Sequence, residues 1–203
     1  MPRMNILNKS EQEKFNTPPI FTGFERKQFF TLPKPLKEIA ETLRTPSTRI
    51  GFLLACGYFK ASKRFFKPDD YHKNDITFVI NTLNLRSEYF IADHYLRGIR
   101  QYHQKVILEF YGYKKFDNQS IRLIKVEIAS MMQSQLRPKL IFWRCIDILI
   151  YNRIQIPTYF MISELILTAL NQRKKELSAV IRQELSKETK TLLDSLFARK
   201  EEG

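Results

Sequence analysis

Four cations stand in the stretch GYFKASKRFFK, residues 57–67, at Lys60, Lys63, Arg64 and Lys67. Their spacing is i, i+3, i+4 and i+7, which on a helix makes a single stripe. The chemistry such a stripe supports is electrostatic capture of a polyanion. A solvated helix face also carries lysines, but it usually mixes signs. Between residues 26 and 67, ten Lys or Arg stand against only Glu38 and Glu41, and that imbalance favours the polyanion. Thr45, Ser47 and Thr48 are placed to donate to phosphates together with the free N–H groups of a helix start. Arg49 lies where a recognition helix meets base edges, and Lys37 and Arg44 sit just upstream. If all four stripe cations touched phosphates, counterion release would give a log–log salt slope of about −3.6. A second basic set follows: Arg97, Arg100 and Lys105, then Lys114, Lys115, Arg122 and Lys125. Phe59 and Phe66, flanking the stripe, read as core residues.

Catalytic chemistry has no comparable signal. His72, His94 and His103 form no metal-ligand spacing with cysteine or carboxylate. There is no P-loop, G-x-G-x-x-G or G-x-S-x-G. Asp69 and Asp70 read as a helix start, where carboxylates favour the dipole. Cys56 and Cys145 lie in apolar surroundings and read as small core residues. The expectation is therefore no catalytic residue, no metal, no cofactor and no small-molecule substrate: this chain alone is not an enzyme.

The elements that must carry the basic residues are helical, because apolar residues recur with helical rather than alternating period. Ser10 with Glu13 suggests a capping box for a first helix. Residues 16–35, rich in proline, read as a connector around a short helical turn. Leu36, Ile39, Ala40 and Leu43 give a short amphipathic helix. Thr45 and Pro46 then cap and open a helix running to Pro68, and Asp69 and Asp70 open the next. A helix over 89–111 is expected with Tyr95, Ile99, Tyr102, Val106 and Phe110 inward. Gly112 caps it, and Asp117 or Asn118 opens another helix. Residues 138–152 are apolar nearly all round, and a long helix follows from Thr158. The fold class is all-α, with two helical modules: residues 1–85, containing a helix-turn-helix-like hairpin, and 86–203, a basic bundle with a long C-terminal helix.

The 203 residues carry 34 Lys plus Arg against 21 Asp plus Glu, a net charge of +13. Nucleic acid is the leading partner class, ahead of an anionic membrane surface. The N-terminus lacks the apolar core of a signal peptide. The longest apolar run, around 140–151, is broken by Arg144 and Asp147 and is too short to span a bilayer. A cytoplasmic protein without a membrane partner is expected.

Several stretches carry a family resemblance. MPRMNILNKSEQEKF, FTLPKPLKEIAETLRTPSTRIGFLLACGYFKASKRFF, HYLRGIRQYHQKVILEFYGYKKFD and PKLIFWRCIDILIYNRIQIPTYFMISELILTALNQRKKELSAVI together resemble the N-terminal region of transposases of the Tn-three family of replicative transposons. The resemblance implies helical modules that bind the terminal inverted repeats of a bacterial mobile element as double-stranded DNA. It places strand-transfer chemistry in a downstream carboxylate-bearing domain, so that no catalytic residue carries over. A stop at Gly203 would then make the chain an expressed fragment or a truncated remnant, with dimerisation belonging to the full-length protein. The rival expectation is an interaction or dimerisation module built on the long C-terminal stripe.

Overall fold

The structure, a computed structural model, describes residues 5–86, 90–134, 136–184 and 189. Among these the chain forms α1 (Lys9–Asn16), α2 (Gly23–Phe30), α3 (Lys34–Thr42), α4 (Pro46–Ser62) and α5 (Lys73–Thr82). There follow α6 (Arg97–Tyr111), α7 (Asn118–Gln133), α8 (Pro138–Tyr151) and α9 (Tyr159–Glu184). No strand occurs among the described residues; an isolated bridge pairs Lys114 with Ile154. The fold is all-α.

Local chemistry sets most helix ends. Thr45 accepts from the Thr48 N–H with Pro46 in the first turn, Asp117 accepts from Ser120, and Gly112 closes α6 at φ 67°. The connector 16–35 contains a full helix, α2, entered by a Thr22–Glu25 capping box. The first capping box is Asn8 with Glu11, not Ser10 with Glu13, because Ser10 already lies inside α1. Asp69 and Asp70 belong to a 3₁₀ turn over Pro68–Asp70, and α5 begins only at Lys73.

Two apolar cores result. The first is built from α2 to α6 around α4, with Phe30, Leu36, Phe52, Tyr58, Val79 and Ile107 among its residues. Every residue from Ile50 to Phe59 is buried, because α2, α3, α5 and α6 all pack on this one helix. Two glycines permit the close approach: a Cβ at Gly57 would collide with the Phe30 ring, and one at Gly51 would come within 2.6 Å of Tyr95 Cδ1. The second core joins Ile6 and Leu7 to α7, α8 and α9 through Ile124, Phe142, Leu149 and Ile162. The Tyr159 hydroxyl accepts from the N–H groups of Ile6 and Leu7 at 3.2 and 3.3 Å, which pins the N-terminal segment there. The Ile156 N–H donates to the Lys63 carbonyl at 3.0 Å, tying the second core to the end of α4.

A buried polar network crosses the first core. Asp75 on α5 is 0 % exposed. One of its oxygens accepts from Arg26 Nε of α2 at 2.6 Å and the other from the Tyr58 hydroxyl of α4 at 2.7 Å. The Tyr58 oxygen in turn accepts from the His72 N–H at 3.2 Å.

α6 is rotated from the expected setting and starts at Arg97. Its buried residues are His103, Ile107 and Leu108, while Tyr102 and Phe110 are exposed. The cause is His103, whose Nδ1 meets the buried Tyr95 hydroxyl at 2.7 Å and whose ring packs edge-on to Phe52. α8 is less central than its composition suggests, since Leu140, Trp143, Ile150 and Tyr151 keep much of their surface exposed. Residues 171–183 of α9 are exposed, with Leu177, Val180 and Ile181 near half. The continuation of the α9 stripe at Leu185 and the mixed-charge stretch 187–203, apart from Thr189, lie outside the described residues. Among the described residues no helix is long and apolar enough to cross a membrane.

Candidate nucleic-acid interface

The helix that was to display the stripe ends too early for it. α4 stops at Ser62, and Lys63 takes the left-handed conformation at φ 58° as its C-cap, donating its N–H to the Phe59 carbonyl. Arg64 to Lys67 then run outside the helix, so positions 60, 63, 64 and 67 share no helical face. Three of the four cations meet carbonyls in the last turns of helices. Lys60 Nζ donates to Gln28 of α2 at 2.6 Å, Lys63 Nζ to Lys60 of α4 at 2.6 Å, and Arg64 to Phe15 of α1. A positive charge at the carbonyl end of a helix opposes the macrodipole, so each of these cations stabilises the end of a helix.

Arg64 is only 7 % exposed, and its guanidinium lies 4.1 Å from the Phe15 ring centroid and 5.3 Å from that of Phe66. Burial pulls its pKa down to about 10, which still leaves it charged at neutral pH. Burial, then the neighbouring Lys60 charge, also lowers the pKa of Lys63.

The start of α4 is equally enclosed. Ser47 and Thr48 are buried; Ser47 accepts from the Ile91 N–H at 3.5 Å, and the Thr48 hydroxyl donates to the Thr45 carbonyl at 2.8 Å. Arg49 Nη2 donates to the Leu43 carbonyl, and its Nε is buried without a hydrogen-bond partner among the described residues. A helix walled in by four others cannot enter a DNA groove, so α4 is a core helix and not a recognition helix. With Arg26 bound to Asp75, five of the ten cations in 26–67 are bonded within the protein itself: Arg26, Arg49, Lys60, Lys63 and Arg64. Among the remainder, Lys37, Arg44 and Lys67 are exposed, as is Thr45, whose oxygen caps Thr48.

A different surface gathers cations from separate elements. Lys67 from the extended segment and Arg97 and Arg100 from α6 line one groove with Gln101, Gln104, Phe65 and Phe66. Gln101 and Gln104 also line the adjoining hollow, with Lys105, Leu108, Glu109, Tyr113, Lys115 and Gln155. The two hollows form one strip, with both amides in its middle and cations toward each end. Lys67, Arg97, Arg100 and Lys115 make no ion pair among the described residues, while Lys105 approaches Glu109 at 3.8 Å on the surface. Lys114 precedes Lys115 in a turn held by backbone bonds, its N–H to Arg153 at 2.7 Å and its carbonyl from Gln155 at 2.8 Å. Arg122 and Lys125 are exposed on α7; neither they nor Lys37 and Arg44 line this strip.

Gln101 and Gln104 were not singled out from the sequence. Their signal was available: positions 97, 100, 101 and 104 share a helical face, which borders the one buried through His103 and Ile107. The arrangement offers fixed positive charge and amide donors and acceptors, the groups that hold phosphates and read base edges.

Burial raises the thiol of Cys56 well above its usual range and that of Cys145 to about 12. Among the described residues no three or more His, Cys, Asp or Glu are grouped to hold a metal ion.

A family model described as a domain of unknown function, DUF4158, matches residues 6–169, which include the whole strip. No curated protein matches the chain.

Proposed function

The chain belongs to the DUF4158 family, and from that premise we propose that it binds double-stranded DNA as the end-recognising part of a bacterial replicative transposase. One observation carries the proposal. Lys67, Arg97, Arg100, Lys105 and Lys115 converge from three segments on one strip, and four of the five have no acidic partner among the described residues. Like charges brought together without partners repel one another, and a phosphate backbone relieves that repulsion. The resemblance of the chain to Tn-three transposases supplies the kind of DNA: terminal inverted repeats, bound in the cytoplasm so that a catalytic domain elsewhere in the transposase is positioned on them. Lys37, Arg44, Lys114, Arg122 and Lys125 extend the positive surface beyond the strip.

The test is binding to a labelled duplex carrying the element's terminal repeat, against a scrambled duplex, between 50 and 200 mM salt. Five phosphate contacts give a log–log slope of about −4.5, or about 500-fold weaker binding across that range. The variant Lys67→Ala/Arg97→Ala/Arg100→Ala should flatten the slope to about −1.8. Salt-independent binding, or an unchanged slope in the triple variant, refutes the proposal.

The half-exposed Leu177, Val180 and Ile181 of α9 favour a second reading, a protein-interaction or dimerisation module without sequence-specific DNA binding. Concentration-dependent mass in solution, with equal affinity for both duplexes, would select it.

A further inference from the structure

Taking the DNA-binding proposal above as its basis, we propose that α6 is the helix that reads base edges, with Gln101 and Gln104 as the specificity-determining residues. The layout of the strip is the first ground. Phosphates attract cations far more strongly than neutral amides, so the flanking residues Lys67, Arg97, Arg100, Lys105 and Lys115 suit the two backbones that border a groove. The glutamines lie between them, where base edges would face the protein. A glutamine carboxamide carries a donor and an acceptor side by side, the pattern that matches adenine N7 and N6.

Both amides are available. Gln101 is exposed, Gln104 is half-buried, and neither is hydrogen-bonded among the described residues. They are three residues apart on a helix that rises 1.5 Å per residue, about 4.5 Å along its axis. That is close to one base-pair step of about 3.4 Å, so the pair addresses adjacent base pairs.

The helix is also held stiffly along its flank. His103, between the two glutamines in sequence, is 1 % exposed and is fixed by Tyr95 and Phe52. Ile107 enters the first core beside α4. A rigid flank fixes where the amides point, which base discrimination requires.

The experiment is selection by the whole chain from a pool of duplexes carrying a randomised 20-base-pair segment. Wild type should enrich a motif with adenine at one or two adjacent positions. Gln101→Ala/Gln104→Ala should lose the adenine preference there, by about 5- to 150-fold per position, while binding to the unselected pool stays within about twofold. Gln104→Glu should move one of those positions toward cytosine, whose amino group a carboxylate accepts. The triple cation variant should bind every duplex more weakly and enrich the same motif. A double-alanine variant that retains the wild-type motif and the wild-type urea midpoint overturns the assignment to α6. Binding of the pool without any enriched motif also overturns it while leaving DNA binding intact. Failure to bind any duplex removes both proposals.

Discussion

Asp75 offers the sharpest energetic test of how the basic first half of the chain is built. Replacing it with alanine removes a carboxylate that is 0 % exposed and that accepts two bonds, from Arg26 Nε at 2.6 Å and from the Tyr58 hydroxyl at 2.7 Å. Breaking a buried ion pair by deleting one partner costs about 3–5 kcal/mol. Arg26 keeps 18 % of its side chain exposed, so water can solvate the orphaned guanidinium and the lower figure applies. The Tyr58 hydroxyl, in a side chain with no exposure, adds about 1–2 kcal/mol when it loses its acceptor. Asp75→Ala should therefore cost about 4 kcal/mol. Tyr58→Phe should cost about 1–2 kcal/mol, and Arg26→Met about 3 kcal/mol. Replacing both charges, Arg26→Met/Asp75→Ala, should cost clearly less than the two single changes together, because no charge is then left buried alone. Urea unfolding followed by circular dichroism at 222 nm gives all four values. A loss under about 1 kcal/mol for Asp75→Ala, or strict additivity in the double variant, would refute the network as a stabilising unit.

Three further outcomes follow from the packing. Gly57→Ala should destabilise by about 1–2 kcal/mol in urea unfolding although alanine is the better helix former, because its methyl group collides with the fully buried Phe30 ring. Burial lowers the His103 pKa from 6.5 to about 4. Between those values the unfolded chain takes up a proton that the folded chain refuses, so stability is unaffected above pH 6.5, falls by at most about 3 kcal/mol toward pH 4, and levels off below. His103→Phe should remove that slope in a pH series of urea midpoints. Glu11, Glu25 and Asp117, held below their usual pKa by hydrogen bonds led by Lys139, Thr22 and Ser120 respectively, act only as pH falls through and below about 4.5. Arg64→Met should lower the thermal midpoint by several degrees yet leave the salt slope of DNA binding unchanged, since this guanidinium faces Phe15 and Phe66.

What could be read from the chain was whatever is written locally. Thr45–Pro46, Gly112, Asp117 and Pro138 announce helix ends by their own chemistry, and the helical recurrence of apolar residues announces the all-α class. The end of α4 was hidden because its left-handed cap is Lys63, a residue with no turn signature. The rotation of α6 was hidden because a histidine points inward while Tyr102 and Phe110 point out. The role of Arg64 was hidden for a different reason: its carbonyl partner is 49 residues away, at the end of α1. A charge pattern records how many cations a segment has, but not which of them a distant helix end will claim. The strip was half visible, through Lys67, Arg97, Arg100, Lys105 and Lys115. The amides between its cations carried no charge to draw attention.

The carbonyl-bound lysines and arginine at the end of α4 also govern how the folded chain meets a protease. Trypsin cuts after Lys or Arg except before proline, so the stretch 60–67 offers it three sites, after Lys60, Lys63 and Arg64, while Lys67 is shielded by Pro68. Lys60 and Lys63 are half-buried, Arg64 is buried, and all three side chains are held on helix ends, so none can enter a protease's specificity pocket while the core stands. Cleavage there requires these side chains to leave their helix-end carbonyls, and for the buried Arg64 its rate would follow opening of the packing against α1 rather than fraying of a free loop. The segment that looks most digestible on paper would thus be among the last to be cut.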